Sequence, residues 1–275
     1  MIKHTKELTP ETKVGDLQGW AFLSPKQQES QRKYAEKQKH FEYDKRHFTQ
    51  VNDKECSTIM TTLTLPQAGT LLSMFAYMEK GSSGFLYYDG ERLGQKEFAK
   101  LIKKSERTVQ RNISELVNLG YVTAHKRGRK VCYSINSQIA TRGNKTASGY
   151  FSRLYFVQLR EVIRRATIQE LGLFFFMIPH FNTEYYAICE NPYENRIGEI
   201  ELWNREKIAE ELGVSLRTVK GLIPSMMRKG FLASVKTWRT AITLHPSLVS
   251  RGYKTVTFED LTKIIENDYN QRVEW

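Results

Sequence analysis

Residues 105–111 read Ser-Glu-Arg-Thr-Val-Gln-Arg, and residues 215–221 read Ser-Leu-Arg-Thr-Val-Lys-Gly. These residue types suit noncovalent reading of a polyanion: Arg pairs bidentately with guanine, Gln with adenine, and Ser or Thr with either base. In the first stretch Val109, Ile113, Leu116 and Val117 fall on one stripe at helical spacing. That turns Arg107, Thr108, Gln110, Arg111 and Ser114 to the opposite face. Ser105 is a favourable N-cap, which leaves the positive end of the helix dipole beside whatever anion meets the first turn. A solvated face of an ordinary amphipathic helix has the same composition, so one copy alone decides little.

Repetition is what favours the chemical reading. Phe98 to Val122 aligns without a gap on Ile208 to Leu232, equating Ser105 with Ser215, Arg107 with Arg217, Thr108 with Thr218, Val109 with Val219, Ile113 with Ile223 and Gly120 with Gly230. The likeness extends upstream, where Gly69 matches Gly172 and Met74 matches Met177. Downstream, Arg142-Gly143 matches Arg251-Gly252. Each unit is therefore a domain of its own, 41–149 and 150–252, between a basic arm (1–40) and a C-terminal helix (253–275). In the arm, Ser24 and Pro25 suit the start of a helix with almost no apolar face.

Within the first unit the pattern predicts a helix over Leu65 to Lys80 burying Leu71, Leu72, Phe75 and Met78, a second over Gln95 to Lys103, and a third after Ser105 stopped by Gly120. Two alternating β-rich runs around Lys126-Arg127-Gly128-Arg129 then read as a hairpin. Three helices and a hairpin predict an α+β, mainly helical chain of two tandem winged helix-turn-helix domains. The aromatic run Leu171 to Phe176 is expected to fill the second core or the seam between the domains.

Charge follows the same elements. The 275 residues carry 42 Lys and Arg against 30 Asp and Glu, a formal +12, which favours a polyanionic partner. Lys103 to Lys130 holds eight basic residues against two acidic ones, among them Lys104, Lys126, Arg127, Arg129 and Lys130, expected to hold phosphates. Glu206 to Arg239 holds seven against three. There the candidate contacts are Ser215, Arg217, Thr218, Lys220, Lys236 and Arg239. Pro224, inside the second reading helix, is predicted to kink or shorten it and weaken the copy.

Enzymatic chemistry finds little support. There is no GxxxxGK[ST], HExxH or GxSxG, and the six histidines are isolated in sequence. The three cysteines form no CxxC, so neither zinc nor any cofactor is expected, and a reducing cytoplasm suits them. Leu171 to Pro179, the most apolar stretch, falls far short of the roughly 20 residues that cross a bilayer, and no signal-peptide core is evident, so no membrane partner is expected. RNA is less favoured than B-DNA, whose major groove admits a helix.

Two winged helices in one chain of this size resemble the replication initiators of bacterial plasmids. A strand followed by Asn-Pro, four residues and Arg-Gly is similar to the ending of winged-helix replication proteins of Gram-positive plasmids. That ending stands here as "INSQIATRG", without the proline, and "LHPSLVSRG", without the asparagine. The resemblance implies binding to repeated origin sequences as a monomer and autoregulation as a homodimer. It further implies host replication proteins as partners and a nucleoid- or plasmid-associated location in the bacterial cytoplasm. A phage or plasmid repressor without a replication role is the alternative; the absence of a ligand-sensing domain beyond the repeats counts against a metabolite-responsive repressor but not against that one.

Overall fold

The computed structural model describes residues 24–43, 46–81, 83–143, 150–236 and 240–251. It is α+β, with nine α-helices among the described residues and small antiparallel sheets. No described helix is long and apolar enough to cross a membrane. The arm before residue 24, the C-terminal helix expected after Gly252 and Arg239 lie outside the described residues. The chain divides into two compact units, Met1–Asp44 and Lys45–Trp275. The described part of the first is helix α1, Pro25–Tyr43. Ser24 opens it by a reciprocal cap: the Ser24 N–H donates to Gln27 Oε1 at 2.8 Å, and the Gln27 N–H to Ser24 Oγ at 3.3 Å.

In the second unit the first repeat opens with strand β1 (Phe48–Asn52) and helix α2 (Asp53–Met60), neither of which the periodicity revealed. Helix α3 (Leu65–Phe75) follows, stopping short of the expected Lys80. Met78 instead bridges to Leu86, and Tyr87–Tyr88 (β2) pairs with Glu91–Arg92 (β3). Then come α4 (Gln95–Leu101), α5 (Glu106–Asn118), and strands β4 (Val122–Arg127) and β5 (Lys130–Ile135) paired as the expected hairpin. Phe85 bridges to Ser134, adding a third edge to the hairpin. A short strand, β6 (Ala140–Thr141), ends the repeat.

The second repeat follows the same order: β7 (Phe151–Tyr155), α6 (Phe156–Arg165), α7 (Ile168–Met177), α8 (Arg205–Glu211), α9 (Leu216–Arg228), the hairpin β8 (Leu232–Lys236) and β9 (Thr240–Leu244), and β10 (Val249–Arg251). Helix α9 corrects one expectation. It spans 13 residues through Pro224, the same length as α5. Val219, Ile223 and Met226 are fully buried on its inner face. Burying such side chains stabilises by roughly 1.5 to 3 kcal/mol each, which together exceeds the roughly 3 kcal/mol an interior proline costs. The carbonyl of Lys220, which loses its partner, lies on an exposed turn where water can replace it.

The two repeats share one hydrophobic core. Helices α3 and α7 cross at their glycines: a Cβ on Gly69 would lie 2.0 Å from the Ile168 carbonyl oxygen, and one on Gly172 2.0 Å from that of Leu65. Backbones can approach so closely only without side chains at the crossing. The Leu171 to Phe176 run is buried there, with Phe175 against Phe75 across the seam (5.9 Å between centroids) and Phe174 against Phe231 within the second repeat (5.5 Å). Beside the crossing, the sheet runs β10-β7-β1-β6, and β1 meets β7 with Phe48 opposite Tyr155, Gln50 opposite Arg153 and Asn52 opposite Phe151.

Candidate nucleic-acid interface

Helix α5 starts as its sequence requires. Ser105 Oγ accepts from the Thr108 N–H at 3.2 Å and donates to Thr108 Oγ1 at 2.7 Å. Both hydroxyls therefore shape the first turn; Thr108 keeps its own proton for a further partner. Val109, Ile113 and Leu116 face the core. Arg107, Gln110, Arg111 and Ser114 are exposed on the opposite side. With Thr108 and Glu115 they line one shallow concavity of about 560 Å³.

Sequence reasoning overlooked the residue that aims this face. Asn112 is buried and donates from Nδ2 to the Pro66 carbonyl oxygen at 3.0 Å and to Thr70 Oγ1 at 2.8 Å. Two bonds to the start of α3 fix the rotation of α5 about its axis. The signal was available: a polar residue on the inward stripe is a group that must find partners.

In the hairpin, Arg127 pairs opposite Lys130 across Gly128 and Arg129, and Gly128 takes φ +61°, a left-handed conformation suited to glycine. Lys126, Arg127, Arg129 and Lys130 are all exposed. Among the described residues no ion pair engages them, nor Arg107 or Arg111. Cations that no carboxylate engages leave their donors open to an anion, although Glu106 and Glu115 stand on the same helix as the two arginines.

Lys104 leaves that row. Its ammonium donates to the carbonyl oxygens of Ile102 (3.0 Å) and Ile163 (3.1 Å), tying the α4–α5 turn to the last turn of α6 in the other repeat. Burial, with Lys229 nearby, pushes it below the ordinary lysine range. The sequence counted it with the basic run expected to hold phosphates, but a long stem can bend inward as easily as outward.

The second repeat reproduces the cap, but three of its lysines are paired. Ser215 Oγ accepts from the Thr218 N–H at 3.2 Å and lies 2.7 Å from Thr218 Oγ1. Arg217 is exposed, whereas Lys220 pairs with Glu206 at 3.2 Å, Lys207 with Glu211, and Lys229 with Glu170 at 2.7 Å. Glu170 is only 1% exposed. Burial raises its pKa, but hydrogen bonds led by Lys229 outweigh that and hold it below the usual carboxylate range. Lys236 ends β8, opposite Thr240.

The Arg-Gly endings of the repeats serve the fold. Arg142 donates to the Met78 carbonyl oxygen and lies over the Phe156 ring at 4.0 Å. Arg251 donates to the carbonyl oxygens of Phe181 (2.6 Å) and Ile178 (2.8 Å) and sits 3.1 Å from Asp53, whose other oxygen accepts from Ser152 at 2.6 Å. Asp53 belongs to the first repeat and Arg251 to the second, so these arginines close each repeat onto its neighbour. Compared with known proteins, the chain matches no family model, no curated protein and no solved structure.

Proposed function

We propose that this chain is a non-enzymatic, sequence-specific binder of double-stranded DNA, built from two tandem winged helix-turn-helix domains. Helices α3, α4 and α5 with the β4–β5 hairpin form the first domain, and α7, α8 and α9 with β8–β9 the second. In this reading α5 and α9 enter the major groove, Arg107, Gln110, Arg111 and Ser114 contact base edges, and the Lys126 to Lys130 tip holds phosphate or the minor groove. The observation that carries it is the outer face of α5: four exposed donor-rich side chains on one capped helix, its two arginines outside any ion pair among the described residues.

The role we infer is replication initiation on a plasmid or other mobile element, with host replication proteins as partners. It rests on the resemblance to plasmid initiators. A second reading is transcriptional control: Arg142 lies over Phe156 and Arg251 beside Asp53, each in the other repeat, so the Arg-Gly endings speak for architecture and not for replication in particular. Duplex fragments of the protein's own replicon, selected by the bound chain, test both levels. Recovery of repeats beside an origin supports initiation, and a promoter site alone supports repression. Equal retention of duplex, single strands and structured RNA would sink the reading. Arg107→Ala with Arg111→Ala should abolish preference for the selected site while the chain remains folded.

A further inference from the structure

Equivalent residues of the two repeats do not merely recur; they meet. Gln50 and Arg153 are equivalent under the offset that equates Gly69 with Gly172, and they are the pair at the centre of the β1–β7 ladder. Phe48 lies opposite Tyr155, and their equivalents, Phe151 and Asn52, lie opposite each other. The Gly69 crossing meets Ile168 and the Gly172 crossing meets Leu65, again equivalents exchanged. Further out, Gln50 pairs with Thr141 on β6, and Arg153 with Ser250 on β10. Arg142 reaches the carbonyl oxygen of Met78, and Arg251 that of its equivalent, Phe181. Each contact of residue i with j is thus answered by one of j's equivalent with i's. That is the signature of a two-fold axis, here inside one chain. A head-to-tail array, in which the second repeat is the first one displaced along an axis, cannot pair a strand with its own equivalent antiparallel about a shared centre.

The axis that exchanges α3 with α7 also exchanges α5 with α9, since each packs on its own repeat's crossing helix. We propose that a single chain reads a DNA site made of two half-sites in inverted orientation, as a covalently joined dimer would. This rests on the DNA-binding reading above and adds the symmetry of the target. The side chains divide the half-sites further. The first turns agree, Arg107 and Thr108 answering to Arg217 and Thr218, whereas Gln110, Arg111 and Ser114 answer to Lys220, Gly221 and Pro224. The inverted symmetry is therefore confined to the base pairs met by the first turns and lost where the middle turns read.

The test is selection of bound sequences from a random duplex pool by the full chain, with the stoichiometry of the complex measured by native mass spectrometry. One chain on one site with inverted half-sites is the expected result. A triple variant, Lys220→Gln, Gly221→Arg and Pro224→Ser, gives α9 the middle turn of α5 and removes two poor helix formers. It should select a more nearly perfect palindrome and bind it roughly tenfold or more tightly than the parent chain does, one bidentate contact having been added. Half-sites enriched head to tail, two chains on each site, or an unchanged preference in the triple variant would overturn the inverted arrangement while leaving DNA binding intact. Retention of no duplex at all would overturn DNA binding, and the symmetry with it.

Discussion

His180 shows how a single residue can respond to pH without taking part in any site chemistry. It packs at a tilt against Trp203 (4.4 Å between centroids), and its Nε2 is buried without a hydrogen-bond partner among the described residues. Burial pushes its pKa down from 6.5 to about 4. Below pH 6.5 the unfolded chain takes up this proton, but the folded chain does not until about pH 4. Stability should therefore fall as pH drops from 6.5 to 4, by at most roughly 3 kcal/mol, and this contribution should be constant above and below that window. Urea midpoints of the parent and His180→Phe across pH 4 to 7 check it: the variant should lose most of the slope, and parallel curves would assign the slope to other groups. At the same scale, Arg111 and Lys220 should differ. Arg111 is outside any described ion pair, whereas Lys220 is held by Glu206 and is followed by Gly221 in place of an arginine. Arg111→Ala should cost roughly 1 to 3 kcal/mol of discrimination between the selected site and a scrambled duplex, and Lys220→Ala less. A larger loss from Lys220→Ala would make the second repeat the principal reader.

Among the elements, the α3–α7 crossing is the least tolerant of change. A methyl group on Gly69 or Gly172 would meet a backbone carbonyl oxygen at 2.0 Å, and backbone cannot swing aside as a side-chain tip can. Gly69→Ala or Gly172→Ala should each destabilise by about 3 kcal/mol or more, at the upper end of overpacking costs. Gly221→Ala, in open space on the exposed face of α9, should instead be neutral or stabilising. Thermal unfolding of the three variants decides between them, and a Gly69→Ala chain as stable as the parent would mean that the helices can separate. The matched glycines were visible in the sequence as a repeat, but nothing local distinguishes a glycine at a crossing from one in a turn. Helices α5 and α9, with their Ser caps and apolar stripes, were legible because those signals lie within one turn. Strands β1 and β7 were not: each is short, and its partner lies about a hundred residues away. The length of α9 was misjudged for the same reason, since the packing that carries it through Pro224 is tertiary.

Across the whole molecule, the candidate surface was legible from residue type and helical phase, but which cations are free was not. Lys104, Lys207, Lys220 and Lys229 all look alike in sequence, and each turns out to hold a carbonyl or carboxylate. Each Lys–Glu pair removes a carboxylate along with its cation, so the formal +12 is unchanged, but the pairs decide where on the surface the excess stands. Helix α5 carries two arginines and two glutamates, so the local excess of positive charge lies at the tip of the first hairpin, where Arg127 and Arg129 stand exposed. If these two arginines bind phosphate, each releases counterions on docking, so log affinity should fall linearly with log salt, with a slope of about −0.9 per phosphate. Replacing both with alanine should reduce the slope by about 2 and weaken binding to every duplex by a similar factor, leaving base preference unchanged, because phosphate contacts position the protein without reading sequence. Affinities of the parent and the double variant, measured at several salt concentrations on the selected and scrambled duplexes, separate the terms. A flat salt response in the parent would remove the basic surface from the interface, and a changed base preference in the variant would mean that the hairpin tip reads bases or groove shape.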